Sequence, residues 1–232
     1  MQIFWRLVLA HLLADFTLQT NFIAAWKRKN VWGVLAHSMV FFLCATALCF
    51  DYLADTWIQF NSHIVIQGWM AILLLTMFHF LEDEWRVWTI QRWSSPDSFL
   101  FFIWDQFIHY VLIFVASPQQ NGFYPEKTVL LAIVFVLATH FTTIFVYYME
   151  KDIFGQAGIP TREKYYGMLE RLSIIMLLLL PGWWALSAAA VVLTRLAVKK
   201  LLPDFQFSWV NIAVSSFMAL LFGVFARLIY HA

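Results

Sequence analysis

Apolar residues run along this chain in blocks of about 20, the length that crosses a bilayer as a helix, with short polar breaks between them. The blocks predict seven membrane segments: about 2–20, 31–51, 63–81, 98–117, 128–149, the pair 168–181 and 183–198 counted as one, and 206–229. Pro181-Gly182, inside the pair, fits either a tight turn between two short helices or a kink in one longer helix. The predicted fold is all-α: a polytopic transmembrane helical bundle forming a single integral-membrane domain over residues 1–232. Residues 1–117 make a four-helix half and residues 128–232 a second half.

Charge orients the bundle, because cytoplasmic breaks retain Lys and Arg. Of the 15 basic residues, 12 fall after segments 1, 3 and 5 or just before the last segment. Those breaks are read as cytoplasmic and the N terminus as outside. Trp26, Trp32, Trp57, Trp85, Trp88, Trp93 and Trp209 lie near predicted ends, where an indole meets headgroups.

Composition agrees: 62% of the 232 residues are hydrophobic and 12% charged, where a soluble domain carries about 25% charge. The surrounding partner is membrane lipid. A net charge of +1 without a basic aromatic face excludes nucleic acid. Cys44 and Cys49 sit in one apolar block and read as free, buried thiols. The first block lacks a small-x-small cleavage site and reads as a retained helix, not a signal peptide.

Against this background the polar residues inside the blocks are informative, since ionisable groups in spanning helices face the bundle interior or a wet cavity. Segment 1 carries His11, Asp15 and Gln19 at successive four-residue steps, segment 2 carries His37, segment 3 leads through His79 to Asp83, and segment 4 carries Asp105, Gln106 and His109. A four-residue step puts two side chains on one helical face. Three helices thus each present one His and one Asp together, and their depths converge on the cytoplasmic half of the membrane.

Imidazole and carboxylate from facing helices suit a divalent transition metal such as Zn, Mn or Fe, as one or two ions. The expected ligands are His11, Asp15, His37, His79, Asp83, Asp105 and His109. The same pattern also fits a hydrogen-bonded structural network or a proton path. Glu82 and Glu84 read as solvated edge residues, and His140, Thr143 and Tyr147 as an interhelical polar stripe. No HExxH helix, P-loop, glycine-rich dinucleotide turn or GxSxG elbow is present.

Taken together, His11-Leu-Leu-Ala-Asp15-Phe-Thr-Leu-Gln19, His37, His79 to Asp83 and Asp105-Gln106-Phe-Ile-His109 resemble a prokaryotic integral-membrane family of unknown function, DUF3307. The likeness extends to Gly167-Met-Leu-Glu170-Arg171, which resembles the family's Gly-x-Leu-Glu-Arg signature, and so covers nearly the whole chain. Val191-Val192 ahead of Arg195 departs from the Lys-Ser pair of the family. The resemblance carries no activity with it, but it implies a bacterial or phage-borne inner-membrane protein. It also draws Glu170 and Arg171 into the site, Arg171 as a phosphate-binding group, with a helix-start ion pair as an equal alternative.

The reading that follows is a metal-dependent hydrolase embedded in the membrane and acting from the cytoplasmic face on a lipid or phosphorylated substrate. Gln19 and Gln106 would orient water or substrate, and Glu170 and Arg171 would steady the anion. A cation or proton transporter and a membrane module of a larger assembly are the alternatives. The transporter would need polar residues continuing to the outer side, where segments 1 to 4 are almost wholly apolar.

Overall fold

Helix α1 (Gln2–Leu12) widens into a π-helical turn at Leu13–Thr17 and then stops. The Thr20 side chain accepts a hydrogen bond from Ile23 N and so caps α2 (Asn21–Lys27), because an N-cap oxygen satisfies an amide that a new helix leaves unpaired. The chain bends by 92° between these pieces. Asn30 caps α3 (Val31–Leu48) in the same way. At Gly33 a Cβ would stand 2.4 Å from Lys27 N and Trp26 C, so only glycine lets the backbones of α2 and α3 touch.

The computed structural model describes residues 2–59, 63, 65–118, 125–158, 160–182, 184–201 and 207–231. After α3 come a short 3-10 turn and an antiparallel hairpin of β1 (Thr56–Gln59) and β2 (Val65–Gln67). Trp57 is 3% exposed and its Nε1 donates to Tyr52 O at 3.0 Å. This indole, expected among headgroups, is instead a packing residue of the hairpin. Helix α4 (Gly68–Arg92) continues past its predicted end at residue 81, and Ser98 caps α5 (Phe99–Ala116).

Helix α6 (Lys127–Val136) passes through a second π-helical turn, Leu137–Phe141, into α7 (Thr142–Phe154). Gly155 ends α7 at φ 75°, a left-handed position that a glycine adopts without steric cost. Helices α8 (Thr161–Leu179), α9 (Trp184–Leu201) and α10 (Trp209–His231) follow. Ile174 and Ile175 of α8 are fully buried against α9, α10 and the π-turn. The chain packs as two compact units, Met1–Val129 and Leu130–Ala232.

Tyr166 near the start of α8 lies 3.5 Å from Thr194 near the end of α9, and Glu170 bonds Arg195 at 2.6 Å. These helices are therefore antiparallel and Pro181-Gly182 is a turn, with Gly182 at φ 73°. The stretch counted as one segment is two helices. Trp183, adjoining the turn, lies outside the described residues.

Four described helical stretches are long and apolar enough to cross a membrane: Val31–Leu48, Phe99–Ala116, Lys127–Phe154 and Trp209–His231, with the bent α1–α2 pair as a possible fifth. The expected count of seven is not confirmed among the described residues. Charges explain the shortfall, because α4 ends in Glu82, Asp83, Glu84, Arg86 and Arg92, and α8 starts with Arg162, Glu163 and Lys164.

Side-chain direction gives the membrane character most clearly in α5. Leu100, Trp104, Phe107, Val111 and Phe114 point outward, while Asp105, Gln106 and His109 are buried. That inversion of the soluble pattern is what a helix exposed to lipid requires.

Candidate metal centre

The π-helical turn sets Asp15 against three helices at once. Its Oδ1 lies 3.4 Å from His11 Nδ1, 3.4 Å from His37 Nε2 and 3.6 Å from His79 Nε2. From α4, Asp83 Oδ2 lies 3.4 Å from His37 Nε2 and 3.6 Å from His79 Nε2. The two imidazole nitrogens are themselves 3.3 Å apart. His79 and Asp83 share a helical face by their four-residue spacing, and α3 brings His37 opposite them.

Four atoms, Asp15 Oδ1, His37 Nε2, His79 Nε2 and Asp83 Oδ2, thus make five close pairs of 3.3–3.6 Å. Ligands of a tetrahedral ion at about 2.0–2.1 Å stand about 3.3–3.4 Å from one another. These five spacings match ligand pairs of one ion, and this first group holds two overlapping trios that share His79: His11, Asp15 and His79, and His37, His79 and Asp83, each with its ligand atoms within 4.8 Å of one another.

A second group adjoins it. Glu82, Asp105 and His109 each present one ligand atom, all within 4.8 Å of one another. Asp105 O accepts a hydrogen bond from His109 Nδ1 at 2.9 Å, which leaves the Nε2 lone pair facing Glu82 Oε2 at 3.5 Å. The two groups are linked by ring contacts, since His109 stacks on His11 at 4.8 Å and lies tilted against His79 at 4.4 Å, centroid to centroid.

Gln106 stitches the groups together. Its amide nitrogen reaches Asp105 Oδ2 at 3.0 Å and Asp15 Oδ2 at 3.5 Å, so its oxygen is left to accept from His11 Nε2 at 3.1 Å. His11 Nδ1 then carries a lone pair toward the carboxylate of Asp15. Two acceptors facing each other in a buried space repel unless a cation or a proton lies between them.

Other buried atoms share this deficit. Asp15 Oδ1, Glu82 Oε2, Asp83 Oδ2, Asp105 Oδ1 and His109 Nε2 have no hydrogen-bond partner among the described residues. Two cations reach the cluster: Lys27 Nζ meets Asp83 Oδ1 at 2.5 Å, and Arg86 meets Asp105 Oδ2 at 3.0 Å while also holding Asp97 at 3.3 Å. Four carboxylates therefore face two cations.

All seven expected ligands lie in this one cluster. Glu82, read from the sequence as solvated, is one of its members, because α4 continues and carries it inward. Lys27 and Arg86, read as basic residues of cytoplasmic breaks, are its charge partners. The signal for Glu82 and Arg86 was helical spacing carried beyond the apolar block. Lys27 had none, since its position depends on the 92° bend.

Gln19 is not on the face of Asp15. The helix ends at Thr17, and Gln19 lies in the break before α2 with no hydrogen bond among the described residues.

A family model described as a protein of unknown function, DUF3307, matches residues 3–130. The chain belongs to that family. The DUF3307 match ends within a residue of the first compact unit, and every residue of the cluster falls inside it. Gly167, Glu170 and Arg171 fall outside, so the family match is narrower than the near full-length likeness of the sequence. No curated protein and no solved structure matches the chain.

Glu170 and Arg171 occupy a polar network of the second unit. Arg171 donates to Ala138 O, to Thr139 O at 3.0 Å, to Thr143 Oγ1 at 2.7 Å and to Ser215 Oγ at 2.6 Å. Glu170 pairs with Arg195, which also reaches Asn211 Oδ1. The pairing of Glu170 with a residue of α9 replaces the expected ion pair at a helix start. Thr143 makes the interhelical contact expected of its stripe.

Proposed function

We propose that the DUF3307 unit is a membrane-embedded, metal-dependent hydrolase of the bacterial inner membrane, working from the cytoplasmic face on a lipid or phosphorylated substrate. The observation that carries this reading is the set of ligand atoms of Asp15, His37, His79 and Asp83, five pairs of which stand 3.3–3.6 Å apart, the spacing of ligands on one ion. These residues would hold one divalent transition-metal ion. Glu82, Asp105 and His109 would hold a second.

The charge tally supports the same reading, because a buried carboxylate without a counter-charge is costly. One divalent ion would supply the two positive charges that Lys27 and Arg86 leave wanting. Such ions polarise a phosphoryl or acyl oxygen and generate hydroxide near neutral pH. The chain's own residues do the remaining work. Gln106 holds His11 in one tautomer by accepting from Nε2, and it can orient a water beside Asp15 and Asp105. Lys27 fixes the outer oxygen of Asp83, and Arg86 that of Asp105.

A transport path is less well supported. Beyond His11, the next turn of α1 toward Arg6 is Leu7, Val8, Leu9 and Ala10, all buried. Arg6 itself is held by Glu126 at 2.6 Å.

Elemental analysis of untagged protein, with hydrolysis of phospholipid and phosphomonoester substrates assayed on the same preparation, tests the proposal. The expected result is one to two transition-metal ions per chain, lost together with activity in His37→Ala and Asp83→Ala. Absence of stoichiometric metal from the folded protein would overturn it. Metal uptake into proteoliposomes without hydrolysis would favour a transporter.

A further inference from the structure

The second unit buries two guanidiniums beside one another. A Cβ placed on Gly167 would stand 3.2 Å from Arg171 Nη1 and 3.8 Å from Arg195 Nη2, so both groups flank that glycine. Arg171 is 3% exposed and Arg195 1%. One carboxylate serves the two: Glu170 bonds Arg195 at 2.6 Å, while the four acceptors around Arg171 are all neutral carbonyls and hydroxyls. Like charges this deep repel, and a buried cation without its own counter-ion is costly.

A pocket opens beside them, lined by Gly167, Arg171 and Arg195 among others. Lys164 adds a third cation to its wall, and Glu150 and Glu163 add two carboxylates. Glu150 is engaged by the Ser208 hydroxyl. Donors remain for a ligand: among the described residues Arg195 Nε is buried without a hydrogen-bond partner, and Arg171 Nη1, which carries two hydrogens, donates to Ser215 alone. Guanidinium forks match phosphate oxygens in both charge and shape.

We propose that this pocket binds the phosphate group of a ligand, anchored by Arg171 and Arg195, with Gly167 leaving the space through which it reaches them. The phosphate belongs to a lipid headgroup or to a soluble phosphate compound. The site lies wholly within the second unit and stands apart from the metal reading of the first.

The test uses the full chain, with thermal unfolding followed in detergent with inorganic phosphate, and in nanodiscs of phosphatidylcholine with or without phosphatidic acid. Chloride at matched ionic strength is the reference. A saturable rise in Tm with inorganic phosphate assigns a soluble ligand; a rise with phosphatidic acid alone assigns a headgroup. Arg171→Lys, which loses the fork, and Gly167→Ala, which intrudes on the space, each weaken the response at least about tenfold. Gly167→Ala decides if Arg171→Lys does not fold, since it removes no donor group. Asp83→Ala retains the response even where it abolishes metal binding, so the two proposals fail separately. No rise beyond that with chloride, or an equal rise in wild type and Gly167→Ala, would overturn the proposal.

Discussion

Lys27 Nζ lies 2.5 Å from Asp83 Oδ1, while the other oxygen of that carboxylate faces His37 and His79. The ion pair thus fixes the side of Asp83 that the histidines do not use. Groups that orient a metal ligand from behind are typically worth about 10–100-fold in metal affinity. Lys27→Met is expected to weaken transition-metal binding by about that factor, measured by competition with a chelator of known affinity. Unchanged affinity would remove Lys27 from the centre.

The position of Lys27 in turn depends on Gly33. A methyl group there meets backbone atoms, Trp26 C and Lys27 N at 2.4 Å and Trp26 O at 2.7 Å, and backbone cannot rotate aside as a side chain does. Gly33→Ala must push α2 off α3. Overpacking of this kind costs about 1–3 kcal/mol, and here it also draws Lys27 from Asp83. Lower thermal stability together with weaker metal binding is the expected outcome. A loss of stability with full metal affinity would mean that α2 moves without carrying Lys27 away.

These dependences show what hydropathy and spacing can and cannot reveal. The convergence of His11, Asp15, His37, His79, Asp83, Asp105 and His109 was legible, because each lies on an apolar helix where a polar side chain must turn inward. The end of α4 was not, since a hydropathy window measures transfer into lipid and stops at Glu82, whereas the backbone hydrogen bonds of the helix run on to Arg92. Gln19 was misplaced for a related reason: a four-residue step assumes a continuing α-helix, and the turn at Leu13–Thr17 is π-helical and terminal. Pairing of Glu170 with Arg195 needed the reversal at Pro181-Gly182, which the sequence left open between a turn and a kink.

In the second unit, Glu170 and Arg195 form a buried pair at 2.6 Å. Removing one member leaves the other charge without its partner, at a cost of about 3–5 kcal/mol. Glu170→Gln and Arg195→Met are each expected to destabilise by about that amount, whereas the double variant loses less than the sum. Denaturation of all three variants in the same detergent gives the coupling. Additive losses would show that the pair contributes no mutual stabilisation.

The two ligand groups of the first unit make separable demands on their ions. Asp15 Oδ1 meets His11, His37 and His79 within 3.6 Å, so Asp15→Asn removes both the charge and an acceptor from among these histidines. The Glu82 carboxylate faces His109 at 3.5 Å and stands with Asp105 in the other group. If each group holds its own ion, Asp15→Asn and Glu82→Gln each lower the metal content by one ion per chain, and the double variant binds none. Simultaneous loss of both ions in either single variant would instead mean that the groups form one shared site, with the stacked His11 and His109 rings coupling them. Metal-to-protein ratios measured on size-exclusion-purified protein distinguish these outcomes, because loss of a specific ion leaves the chain folded whereas general unfolding removes it from the folded peak.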